Sequence, residues 1–219
     1  MARHLILAPH HDDAEFGLGI AIQGWLARGD SVRVVIAATG SYRRADETYI
    51  DGTLRMEETS LAMNILGVTD WRAAGWFQEN GALEAGYGEL VQRIEKEIAE
   101  ADPTDIYVCL PSFNQDHRAL YDATVTAFRP GGVTACLHAY EYPGNGWQYP
   151  VPQVGRRYHP GTDGAVLGKI NALRAHRSQF EGRAQGVNPD AAHALAAVRG
   201  AEIGVAYAEV TFLIREIAR

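Results

Sequence analysis

The stretch "HLILAPHHDDAEFGLG", residues 4–19, decides the fold. "HLILA" (4–8) is a short apolar run of strand length, and "FGLGIAIQGWLARG" (16–29) is a helix-length apolar segment ending at Gly29. Between them two histidines and two aspartates occupy consecutive positions, His10-His11-Asp12-Asp13. A strand that feeds a helix through a tight polar turn opens a βαβ unit.

The rest of the chain repeats this rhythm. "SVRVVIAA" (31–38) reads as a second strand, followed by the turn-rich "TGSYRRADETYIDG". "TLRMEETSLAMNILG" (53–67) reads as a helix with Leu54, Leu61, Ile65 and Leu66 as its apolar positions, and "DWRAAGW" as a short third strand. "YGELVQRIEKEIAEA" (87–101) is amphipathic, with Leu90, Ile94 and Ile98 stepping by four. Pro103 separates it from the strand "DIYVCLP" (105–111). A helix over 117–129 and a strand "VTACLHAYEY" (133–142) follow. Alternation at this spacing predicts an α/β, three-layer Rossmann-like fold: a mostly parallel sheet with helices on both faces. Residues 143–164 are rich in proline and glycine and include Trp147, Tyr149 and Tyr158, so a loop at the active site is expected there. Two helices near 166–182 and 190–200 and a last strand in "AYAEVTFLIREI" complete a single domain over 1–219.

Bulk properties narrow the function. A chain of 219 residues with a net charge of −7 lacks the basic surface of a nucleic-acid binder. No apolar run reaches the roughly 20 residues of a membrane span. The two cysteines, Cys109 and Cys136, lie in strand-like runs and are expected as free thiols. The cytoplasm is the expected compartment.

The chemistry lies in two loops. Ligands of open parallel sheets bind beyond the carboxyl ends of the strands, where strand order reverses. In the order 3-2-1-4-5, "PHHDD" after strand one faces "PSFNQDHRAL" (111–120) after strand four. Imidazole and carboxylate are the ligand types of a catalytic zinc site, which takes three protein ligands and keeps one position open. His10 and Asp13 can converge on one ion across the turn, His117 supplies the third ligand from the facing loop, and Asp12 is left as a base. The plainer alternative is that Asp12 or Asp13 only caps the following helix.

These residues resemble the PIG-L/LmbE-like family of metal-dependent de-N-acetylases. The family's His-Pro-Asp-Asp-Glu motif corresponds to His10-His11-Asp12-Asp13-Ala14 with Glu15 next, and its His-Pro-Asp-His motif to Asn114-Gln115-Asp116-His117. "GSYRR", Arg55 with Glu58, "KINALRAHRSQ" (169–179) and "YAEVTF" (207–212) extend the likeness along the chain. The resemblance implies zinc, or another divalent ion, on His10, Asp13 and His117, with Asp12 as general base. It implies removal of an acetyl group from a small-molecule N-acetyl sugar or glycoconjugate, with no nucleic acid or membrane partner; a homo-oligomer is compatible with it. Two departures stand out. Asn114 replaces a histidine thought to protonate the leaving group, and an amide donates a hydrogen bond without transferring a proton. His11 replaces the motif's proline, and its side chain is expected to point away from that of His10.

Around this centre the expected catalytic pair is Asp12 and Asn114, and the expected substrate contacts are Arg43, Arg55, Tyr142, Trp147 and His159. Tyr140 and Tyr142 are candidate donors to an oxyanion. Arg55 has a plainer role open to it, an i,i+3 salt bridge to Glu58. A metallophosphoesterase, a catalytically impaired sugar-binding relative and a nucleotide-binding module remain alternatives. The last lacks G-x-G-x-x-G spacing in "GLGIAIQG", and Asp12 and Asp13 would repel a pyrophosphate.

Overall fold

In the computed structural model, residues 1–44, 46–77, 86–131, 133–143, 154–181 and 187–217 are described. The strands are β1 (Arg3–Ala8), β2 (Ser31–Ala38), β3 (Tyr42–Arg43), β4 (Tyr49–Ile50), β5 (Asp70–Phe77), β6 (Asp105–Cys109), β7 (Cys136–Tyr140), β8 (Arg156–Gly161) and β9 (Tyr207–Arg215). The helices are α1 (Asp13–Ala27), α2 (Gly52–Leu66), α3 (Tyr87–Ala101), α4 (Gln115–Ala127), α5 (Asp163–Ala175), α6 (Arg177–Phe180) and α7 (Pro189–Ala201).

Seven strands form one sheet in the order β5-β2-β1-β6-β7-β9-β8, and β3 and β4 pair separately. The first five strands of the sheet are parallel, with Ala8 opposite Ile36, Leu7 opposite Val108 and Cys109 opposite Tyr140. The predicted order 3-2-1-4-5 is therefore present, and β9 and β8 add an antiparallel edge.

Burial on both faces explains why the central strands read as nearly continuous apolar runs. Leu5, Leu7, Val35, Ile106, Val108 and Leu137 pack under Leu90, Ile94 and Ile98 of α3 and Leu120 of α4. The alternate residues Ile6, Ala8, Val34, Ile36, Tyr107 and Tyr140 meet Leu18, Ile22 and Trp25 of α1 and Met63 of α2. The two glycines of the opening stretch permit close packing. A Cβ on Gly17 would stand 2.2 Å from the Tyr140 ring, and one on Gly19 would stand 2.8 Å from Cγ of Lys169. Beside them Lys169 donates to the Phe16 carbonyl (2.6 Å) and to Glu209 (2.6 Å). The Glu209 carboxylate accepts from the amides of Ile20 and Ala21. The late motifs thus splice α5 and β9 into the backbone of α1, directly behind the polar turn.

Two expectations need correction. Residues 143–164 are not one loop: Arg156–Gly161 form edge strand β8 against β9, and α5 starts at Asp163, while 144–153 lie outside the described residues. Pro160 obscures this strand in the sequence but is tolerated because the strand is an edge. The second concerns α2. Leu54 and Leu61 are about half exposed, and the buried face instead carries Arg55, Glu58 and Thr59 with Ala62, Met63 and Leu66. Both cysteines are free, Cys109 buried and Cys136 half-buried. Among the described residues no helix is long and apolar enough to cross a membrane.

A candidate metal centre between the first and fourth core strands

The turn after β1 bends back on itself. The His10 amide donates to Oδ2 of Asp13 (2.9 Å), and Nδ1 of His10 lies 3.2 Å from the same oxygen. The other carboxylate oxygen, Oδ1, lies 3.4 Å from Nε2 of His117, near the start of α4. His10, Asp13 and His117 are buried, each offers one ligand atom, and those atoms lie within 4.8 Å of one another. Among the described residues this is the one group of three or more His, Cys, Asp or Glu side chains that can hold a metal ion.

Both imidazoles are oriented from behind. Nε2 of His10 hydrogen-bonds Oδ2 of Asp116 (2.9 Å), which is fully buried, and Nδ1 of His117 pairs with the Ser112 hydroxyl (3.0 Å). A ring nitrogen tied to such a partner leaves the opposite nitrogen's lone pair free to meet a metal ion. Burial alone would lower the pKa of His10, but its bonds to Asp116 and Asp13 outweigh that and raise it to about 9. Asp13 is held well below the carboxylate range: burial opposes ionisation, and the adjacent His117 and His10 reverse it. Asp116 and Ser112 are site residues that sequence reasoning missed. Asp116 stood in the "NQDH" motif, but only tertiary packing shows which histidine it serves.

The capping alternative can be decided at each helix. Asp12 occupies the N-cap position of α1, yet its side chain makes no capping hydrogen bond. It faces a cavity lined also by His10, Asp13, Tyr42, Arg55, Asn114, His117, Tyr142 and Gln179. Asn114, by contrast, does cap: its Oδ1 accepts from the Asp116 amide (2.8 Å).

Among the expected substrate contacts, Arg55 and Tyr142 line the cavity. The Arg55 side chain is almost fully buried, 4.0 Å from Oδ1 of Asp12, with its guanidinium 5.7 Å from the centre of the Tyr42 ring. Tyr142 meets His117 edge-on at 4.9 Å; burial, with Asp13 and Asp12 nearby, pushes its hydroxyl pKa well above 10. Tyr140 is no oxyanion donor, because its hydroxyl is buried and donates to the Leu7 carbonyl (3.3 Å). The Glu58 carboxylate accepts from the amide and hydroxyl of Ser178.

Two expected contacts lie elsewhere. Arg43 is exposed and folds over its own hairpin, donating to the Glu47 carbonyl and covering the Tyr49 ring. His159 sits in β8 toward the other end of the sheet, edge-on to Trp25 and hydrogen-bonded to Thr211, because its segment pairs with β9 and does not loop over the site. Trp147 lies outside the described residues. His11 does point away from His10: its Nδ1 lies 2.7 Å from the Thr59 hydroxyl on α2, and burial holds the ring neutral.

Comparison with known proteins follows the same lines. The family model described as PIG-L, GlcNAc-PI de-N-acetylase, matches residues 5–128. The probable N-acetyl-alpha-D-glucosaminyl L-malate deacetylase 2 of Bacillus anthracis is 28% identical over 190 residues, spanning 81% of this chain and 82% of that protein. YaiS, an uncharacterized deacetylase of Escherichia coli (strain K12), is 25% identical over 181 residues, spanning 80% and 90%. A solved structure of a deacetylase from the teicoplanin biosynthesis pathway shares the fold, with a TM-score of 0.79 over 96% of each chain at 19% identity.

Proposed function

Since the chain belongs to the PIG-L family of de-N-acetylases, we propose that it removes the N-acetyl group of an N-acetylated amino sugar or small sugar conjugate, using a divalent metal ion. The observation that carries this reading is the pairing of a three-ligand group, His10, Asp13 and His117, with a neighbouring Asp12 that is not spent on capping. Two imidazole nitrogens and one carboxylate oxygen form the donor set of a catalytic zinc site, although other divalent ions accept it too. When bound, such an ion polarises the amide carbonyl and lowers the pKa of water.

The chain's own groups do the remainder. Asp12 accepts the proton of the attacking water, with the Arg55 guanidinium 4.0 Å from its Oδ1. Tyr142, kept protonated by burial, donates a hydrogen bond to the oxygen on which charge develops. Asn114 offers its amide N–H to the departing nitrogen but cannot transfer a proton, so the proton taken by Asp12 is the one returned as the C–N bond breaks. Acetate and the free amine leave.

The test is acetate release from N-acetylglucosamine derivatives by the zinc-loaded enzyme, with metal content measured in parallel. Asp12→Asn is expected to keep its metal and lose about 10²- to 10⁴-fold in turnover. Full activity in that variant would refute the assigned base. Sugar binding without acetate release by the wild type would favour the catalytically impaired relative.

A further inference from the structure

One wall of the cavity is built by contacts that the stability of a four-residue helix does not call for. Ser178 of α6 gives its amide and its hydroxyl to the two oxygens of Glu58 on α2, each at 2.6 Å, and its carbonyl accepts from Arg44 (2.6 Å). Just before α6, Nε2 of His176 pairs with Oε1 of Glu15 on α1 (3.0 Å), both side chains being fully buried. Gln179 continues the chain. Its Nε2 donates to the Ser178 hydroxyl (3.0 Å), and its Oε1 accepts from the Tyr42 hydroxyl (2.9 Å). The bond to Ser178 fixes which way the amide faces: that hydroxyl gives its one proton to Glu58, so a flipped amide would set Oε1 against an oxygen with no proton left to donate. Tyr42 and Gln179 line the same cavity as His10, Asp12 and Arg55.

We infer that the Glu58–Ser178–Gln179–Tyr42 chain is the specificity-determining wall of the site, with Tyr42 and Gln179 meeting the ring hydroxyls of the sugar. Glu58 acts through Ser178 and is a positioning residue. The inference rests on the deacetylase reading above and extends it to substrate choice. Oriented hydroxyl and amide groups are what a polyhydroxyl ring requires, because a buried donor or acceptor left unmatched by the wrong substrate costs binding.

The experiment compares kcat/KM for N-acetylglucosamine with that for N-acetylethanolamine, which carries the acetamide but no ring, in the zinc-loaded protein. Tyr42→Phe removes one hydroxyl and keeps the ring, and Gln179→Ala removes the amide. Each is expected to lower the ratio of the two constants roughly threefold to tenfold, mainly through KM for the sugar. Glu58→Ala should lower it similarly, while Glu58→Gln, which keeps an acceptor for Ser178, should recover much of it. An equal loss on both substrates, or no change in the ratio, overturns the inference. If the wild type hydrolyses neither substrate, the deacetylase reading falls. The wall is then judged by NMR titration of the zinc-loaded protein with N-acetylglucosamine: a Kd weakened by Tyr42→Phe supports it, and an unchanged Kd, or no binding by the wild type, refutes it.

Discussion

Histidines gather at both ends of β1, and His10 at one end behaves oppositely to His4 and His159 at the other. His4, near its first residue, and His10, just past its last, are separated by six residues, or about 20 Å of extended chain. At the far end His4 stacks on Trp25 at 4.1 Å, His138 stacks on Tyr107 at 4.9 Å, and His159 meets Trp25 edge-on. The closest acid–imidazole contacts there are one to one, Asp30 with His4 at 3.6 Å and Asp105 with His138 at 3.2 Å, although the Asp105 charge reaches His4 as well. At the site end, Asp13 is shared by two imidazoles and His10 lies between two carboxylates. The outcome is a difference of sign. Carboxylates outweigh burial at His10 and raise it to about 9, whereas burial prevails at His4, which is lowered, and at His159, which is pushed down to about 3. Carboxylates shared among histidines make a place for a cation; aromatic rings among histidines make a core.

The comparison can be broken most severely at the shared carboxylate. His117→Ala removes one of the three proposed ligands and should abolish both metal retention and acetate release, as read by metal analysis after gel filtration and by acetate assay. His138→Ala at the other end should leave metal content at the wild-type level. An intermediate effect is expected behind the ligands. Asp116→Asn loses the carboxylate that orients His10 and should weaken metal affinity about 10- to 100-fold, measured by competition with a chelator.

The smallest effect belongs to the aromatic end and concerns stability. His159 stays neutral in the native state down to about pH 3, while in the unfolded chain it titrates near 6.5. Between those values the unfolded state holds the extra proton, so stability is full above about pH 6.5 and declines as pH falls toward 3. His159→Asn should make the fall in Tm between pH 7 and pH 4 shallower, by several degrees. A parallel fall in variant and wild type would show that this histidine is not one of the groups responsible.

Much of the architecture was legible because burial on two faces writes itself into a sequence. "HLILA", "SVRVVIAA" and "DIYVC" are apolar apart from His4, Ser31, Arg33 and Asp105 near their starts, and Leu90, Ile94 and Ile98 of α3 lie where their spacing put them. Helix α2 was not legible in the same way. Its apolar residues Leu54 and Leu61 face outward, while its inner face carries Ala62, Met63 and Leu66 into the core and, toward its N-terminus, Arg55 into the polar cavity. Strand β8 was hidden by Pro160, which costs nothing on an edge.

The division at the site follows the range of the forces involved. The sequence by itself determined that His10, Asp12 and Asp13 share one turn after a strand, since three residues of chain leave them nowhere else to go. That His117 would face them followed only on the assumption of the strand order 3-2-1-4-5, which the sheet then shows. Only the tertiary structure decided that Asp12 is not a cap, that Asp116 serves His10, and that Tyr42 and Gln179, 137 positions apart, meet across the cavity. Those are contacts between elements distant in the chain, and no local periodicity records which polar side chains will meet when helices and strands pack.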